Sequence, residues 1–180
     1  IEKYSWNNQQ SFLKKQGTLS VSNTSKAPMF VTITAQGVAT QSPVQKASNG
    51  LDLALSYTSE SGQPLSPYTL GQSTTFKASL LVRNTSGKNL ENIAVTHILP
   101  AGWEILSKLP SGNVSYQDQR DDRMLSYIDR LAKDESVNIR FNISATYAGH
   151  YYLPSVHAEA MYDATIMGCT ESAECTVMNK

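Results

Sequence analysis

The chain has 180 residues, with fifteen lysines and arginines set against fifteen aspartates and glutamates. A formal net charge of zero, mixed along the chain, gives no field to hold a nucleic-acid backbone or an anionic membrane. Apolar runs of only a few residues fall far short of the roughly 20 needed to span a bilayer. The expectation is a soluble piece with enough chain for one β-sandwich and a smaller leading segment. The absence of an initiator methionine and of a signal-like segment points to a fragment of a longer protein.

In chain order, the first 46 residues stand apart. GTLSVSNT and PMFVTITAQ form a predicted hairpin joined by SKA, and QSPVQKASNG follows as a polar linker. Two or three strands cannot bury a face alone, so this piece is expected to complete a sheet whose other strands lie upstream or to lean on the main sandwich. From residue 47 onward the signal is alternation, which a strand with one buried face must show because its side chains point to opposite sides in turn. Leu51, Leu53, Leu55 and Tyr57 make one stripe; Phe76, Ala78, Leu80 and Val82 another; Ile93, Val95, His97 and Leu99 a third. Turn clusters SESGQP, RNTSGKN and LPSGN punctuate the runs. This pattern predicts an antiparallel sandwich.

RMLSYIDRLAKD is ambiguous, because Met124, Tyr127, Ile128 and Leu131 lie at helical spacing. Just before it, Asp121 and Asp122 in QRDDR could be taken for paired carboxylates. Neighbours on a strand face opposite ways, however, so salt bridging at the start of a strand is the better reading. NIRFNISATYAG gives the cleanest alternation, with Val137, Ile139, Phe141, Ile143, Ala145 and Tyr147 on one face. YYLPSVHAEAMYD is expected to be a strand with His157 and Glu159 on a half-exposed face opposite Val156, Ala158, Ala160 and Tyr162. Met161 and Tyr162, a flexible thioether and an amphipathic ring, suit a contact with a neighbouring surface.

Nothing here assembles catalytic chemistry. The three histidines, His97, His150 and His157, show no metal-ligand spacing, and there is no Gly-x-Ser-x-Gly elbow and no phosphate-cradling loop. The expectation is no enzyme, no catalytic residue, no cofactor and no metal. Cys169 and Cys175 in GCTESAEC suit a small hairpin disulfide worth about 2 kcal/mol, with two reduced thiols the equal alternative. Asn23, Asn84, Asn113 and Asn142 stand in Asn-x-Ser/Thr sequons.

Asn49-Gly50-Leu51, LPAGWEI from Leu99 to Ile105, RDDRM from Arg120 to Met124, and YAGHYYLPSVHAEAMYD from Tyr147 to Asp163 occur in an order that resembles the C-terminal domain of bacterial alpha-2-macroglobulins. The resemblance covers roughly residues 49 to 177. GTLSVSNTSKAPMFVTITAQG is similar to the strands that follow the thioester domain there, the returning half of a CUB domain. The resemblance implies an all-β, antiparallel, macroglobulin-like (immunoglobulin-like) β-sandwich of about seven strands over 47–180, preceded by CUB-type strands and linker over 1–46. It implies a strand for RMLSYIDRL. It implies a non-catalytic part of a protease-trapping inhibitor of the bacterial cell envelope, periplasmic or surface-anchored. Its partners would be the thioester and CUB domains of the same protein and, through the whole protein, target proteases, with no nucleic acid and no direct membrane contact. In that family a Met-Tyr pair on a loop packs over the thioester and shields it from water; Met161 and Tyr162 match it. GCTES resembles the thioester segment Gly-Cys-x-Glu-Gln, but Ser172 replaces the Gln and has no acyl group to condense with Cys169. The different expectation is an adhesion or carbohydrate-binding sandwich using Tyr151 and Tyr152.

Overall fold

The computed structural model describes residues 20–24, 27–32 and 43–179. The chain divides into two units, Ile1–Ala39 and Thr40–Lys180. In the first unit, 20–24 and 27–32 carry no strand. The rest of the predicted leading hairpin lies outside the described residues.

The described part of the second unit is all strand, turn and loop. In chain order it holds β1 (Ala47–Asn49), β2 (Leu51–Ser59), β3 (Thr69–Gly71), β4 (Thr74–Asn84), β5 (Leu90–Ile98), β6 (Trp103–Lys108) and β7 (Tyr116–Gln119). There follow β8 (Arg123–Leu131), β9 (Ser136–Ala145), β10 (Gly149–Leu153), β11 (His157–Ala160), β12 (Asp163–Cys169) and β13 (Ala173–Met178). Thirteen strands exceed the expected seven or so, because several are only three or four residues long and because one predicted run breaks in two. The strands form a four-stranded sheet, β2-β4-β9-β6, a six-stranded sheet, β1-β12-β11-β5-β8-β7, and a three-stranded sheet, β10-β13-β3. Neighbouring strands are antiparallel except β13 and β3, which run parallel.

The four-stranded sheet is one layer and the other two sheets make up the facing layer. Its inward residues feed two apolar clusters. Leu51, Leu53, Leu80, Val82, Val137 and Ile139 meet Ile93, Val95, Ile128 and Ala158 of the six-stranded sheet. Further along the same strands, Tyr57, Phe76, Phe141 and Ile143 meet Leu70, Leu153, Cys175 and Val177 of the three-stranded sheet. The alternation in the sequence is thus the alternation of burial: Phe76, Ala78, Leu80 and Val82 are all fully buried on β4. Tyr147 departs from its expected face. β9 ends at Ala145, and Tyr147 is 55 % exposed with its hydroxyl donating to Glu104 Oε1 at 3.1 Å.

Asn84 ends β4 fully buried. Its amide nitrogen donates toward the carbonyls of Lys88, Leu131 and Ala132 at 2.8, 3.0 and 3.0 Å, and its oxygen accepts from the Ser86 N–H and hydroxyl. Main-chain groups that would otherwise be buried unpaired are satisfied this way. An amide so committed is not a sugar acceptor in the folded protein, whatever its sequon.

YYLPSVHAEA does not run as one strand. β10 pairs with β13, β11 pairs with β5 and β12, and the chain changes sheets across Pro154, Ser155 and Val156. Proline has no N–H for a ladder, so it fits where pairing stops. β12 and β13 make the same change at Thr170–Ser172. The two crossings are tied together: Ser155 Oγ donates to the Thr170 carbonyl, Val156 N–H to Thr170 Oγ1 at 2.9 Å, and Thr170 N–H to the Val156 carbonyl at 3.0 Å. β11 and β12 therefore form a hairpin ribbon inside the six-stranded sheet, flanked by β5 and β1 and clamped at its base, with the Met161–Tyr162 turn at its far end.

Candidate functional site

β11 carries its polar residues outward. His157 and Glu159 are exposed while Ala158 and Ala160 are buried, which is the half-exposed strand expected from the sequence. At the tip, Met161 is 52 % and Tyr162 84 % exposed. They form the two-residue turn between Ala160 and Asp163, which pair across it.

The register then shifts. Glu159 pairs with Met167, so Ala164, Thr165 and Ile166 are extra residues on the β12 side. Ile166 turns inward and joins the first apolar cluster. It lies against Gly50, where an added Cβ would come within 2.9 Å of Ile166 Cδ1 and where φ is +85°. Only glycine meets both conditions without strain. Asn49-Gly50-Leu51 is thus part of the seat of the hairpin. Asn49 Nδ2 donates to the Thr165 carbonyl at 2.6 Å. The Asp163 carboxylate accepts from the Thr165 hydroxyl at 2.5 Å and N–H at 3.2 Å, and Lys88 Nζ stands 3.4 Å away. Those hydrogen bonds, with the nearby Lys88 charge, hold the Asp163 carboxyl below its ordinary range.

The other residues marked in the sequence are scattered. His97 is buried against the Phe141 ring, centroids 5.1 Å apart, and burial pushes its pKa down to about 4. His150 Nδ1 lies 2.9 Å from Thr176 Oγ1. Arg123 pairs with Asp122 and Arg120 with Asp118, the ion pairing expected where a strand begins. Tyr151 is a structural residue: its hydroxyl donates to the carbonyls of Tyr147 and Ala148 at 3.1 Å each. Tyr152, by contrast, is exposed.

Of the two alternatives left open by the spacing of Cys169 and Cys175, the structure holds the second, two free and buried thiols. The change of sheets explains this. Cys169 ends β12 in the six-stranded sheet and its thiol lies 3.6 Å from the Gln45 carbonyl oxygen, whereas Cys175 sits in β13 within the second apolar cluster. Burial pushes the Cys175 thiol up to about 11. Ser172, which stands where a thioester segment would need Gln, is buried instead as a clamp: its hydroxyl accepts from Val44 N–H at 2.7 Å and its own N–H donates to the Val44 carbonyl at 2.9 Å.

The sequence profile of the bacterial alpha-2-macroglobulin MG10 domain matches residues 50–164, most of the sandwich including its hairpin tip. The chain belongs to the bacterial alpha-2-macroglobulin family. Relatives of this macroglobulin domain include the alpha-2-macroglobulin homolog of Yersinia pestis, 26 % identical over 88 % of the chain, and the alpha-2-macroglobulin of Pasteurella multocida, 26 % identical over 87 %. The chain spans only 9 % and 8 % of those two proteins. Among solved structures, Salmonella alpha-2-macroglobulin reacted with methylamine superposes with a TM-score of 0.69 at 22 % identity, covering 77 % of this chain and 10 % of that one. Native Escherichia coli alpha-2-macroglobulin from MG7 to its C-terminus gives 0.66 at 20 % identity over 78 % of this chain and 25 % of that one. The fold is that of a macroglobulin-like sandwich. Proteins of the alpha-2-macroglobulin family are protease inhibitors, not enzymes.

Proposed function

We propose that this chain is a non-catalytic C-terminal part of a periplasmic or surface-anchored protease-trapping protein, with residues 47–180 as its macroglobulin-like domain and 1–46 as CUB-type strands and linker. In this reading its sandwich packs against the thioester and CUB domains of the same polypeptide, and it meets target proteases only through the whole protein. The observation that carries the proposal is the tip itself: a thioether and an aromatic ring, both exposed, at the end of an anchored two-stranded ribbon. A flexible thioether beside an exposed ring gives the tip an adaptable apolar contact surface. Shielding a reactive acyl group from water needs this kind of apolar bulk, and release needs only modest contact energy. Support also comes from related structures recorded as reacted with methylamine and as activated by trypsin.

The test uses the thioester-bearing full-length protein with Met161 and Tyr162 both changed to Ala. The variant should lose its amine reactivity spontaneously faster than the parent. Decay at the parental rate would remove the shielding role. Against the adhesion reading stands the Tyr151 hydroxyl, bonded to carbonyls of its own chain while Tyr152 is exposed.

A further inference from the structure

A two-residue hairpin loop ordinarily relies on residues in the left-handed region, supplied by Gly, Asn or Asp, because such a turn matches the twist of the flanking strands. Met161 and Tyr162 are of none of those types, and neither has a positive φ. The tip therefore owes its shape to something outside itself. On one side Met161 N–H donates to the carbonyl of Asn92 at 2.9 Å. Asn92 lies on the adjoining strand β5 with φ +54°, the left-handed conformation that the turn lacks. On the other side Asp163 closes a small ring of hydrogen bonds with Thr165, and Asn49 holds the Thr165 carbonyl from the far edge.

We propose that Asn92, through its left-handed main chain, and Asp163, through its carboxylate, are positioning residues that fix the angle at which Met161 and Tyr162 are presented. This rests on the reading of the tip as a contact with another domain. A tip held in its docked shape has less freedom to lose on docking, so its cover is tighter for the same apolar area. Asn92 is suited to the task because asparagine tolerates the left-handed region far better than a β-branched residue does. Asp163 is suited because one carboxylate oxygen can accept from both the N–H and the hydroxyl of the residue two positions on.

Two pairs of substitutions separate positioning from general stability. Asn92→Val opposes the left-handed conformation and Asn92→Gly keeps it. Asp163→Ala removes the acceptor and Asp163→Asn retains an oxygen for Thr165. In the full-length protein, Asn92→Val and Asp163→Ala should each shorten the half-life of amine reactivity by about threefold or more, with the Gly and Asn variants close to the parent. Amide exchange at Met161 and Thr165 should rise about tenfold in the first two only. If the Met161/Tyr162 double variant decays fast while Asn92→Val and Asp163→Ala decay at the parental rate, the positioning role is overturned and the shield stands. A double variant that decays at the parental rate overturns both. Equal effects from the disruptive and the conservative substitutions, or unchanged amide exchange, also overturn the positioning role.

Discussion

His97 sits where a hydrocarbon side chain would be expected, on the inward stripe of β5 between Val95 and Leu99, with the edge of its ring against Phe141. Burial alone lowers its pKa from 6.5 to about 4, so the folded protein keeps it neutral where the unfolded chain would protonate it. The sign follows. Between pH 6.5 and 4 the unfolded state binds more protons, so stability is intact above pH 6.5 and is lost as pH falls toward 4, by about 3 kcal/mol in all. His97→Leu removes this proton uptake. Urea unfolding of parent and variant at pH 7 and at pH 4.5 should show a smaller acid loss in the variant, by about 2 kcal/mol. Equal losses would mean that His97 is hydrated in the folded state. Asn84 is the opposite kind of buried polar residue. His97 has a ring nitrogen, Nδ1, with no hydrogen-bond partner among the described residues, whereas both atoms of the Asn84 amide are used.

At the scale of strands, period-two alternation revealed β4 and β9 almost residue for residue, because each has one face on the core and pairs on both sides. β8 was ambiguous for a physical reason. Ile128 and Leu131 are both buried though three apart, as are Leu90 and Ile93 opposite them on β5. The left-handed Asn92 lies within that stretch of paired strands and locally breaks the pleat, so helical spacing is what a kinked strand pair leaves in the sequence. The change of sheets at Pro154 was not legible, since alternation continues across it while the partners change. The tip was legible as side-chain type and as a family motif; its seat, made of Asn49, Gly50, Asn92 and Asp163, was not, because it joins residues far apart in the chain. Gly168 marks another such meeting. A Cβ there would fall on the Leu51 carbonyl oxygen, where β12 passes close over the start of β2. Gly168→Ala should cost about 1–3 kcal/mol as overpacking against main chain that cannot move aside. Gly112→Ala meets only Val137 at 3.6 Å and should be nearly neutral. Thermal or urea melts of the two variants check the difference, and equal melts would refute it.

For the molecule as a whole, β4 and β9 run through both apolar clusters, so neither cluster can open without disturbing strands that also build the other. The two thiols report on this. Neither Cys169 nor Cys175 should react with a thiol reagent in the folded, unreduced chain, and both should react once urea unfolds it. Their labelling should rise over the same range of urea, because two-state unfolding exposes both together. Failure of either to label after unfolding would mean a disulfide, and separate midpoints would mean that the end of β12 opens independently of the cluster around Cys175. The ribbon of β11 and β12 has a mechanical consequence as well. A pull on its tip along the strands loads the cross-strand bonds of β11 to β5 and of β12 to β1 sideways and all at once, whereas peeling would break them one at a time. A domain drawn away from Met161 and Tyr162 in that direction would slip off their side chains before it drew the ribbon out of its sheet.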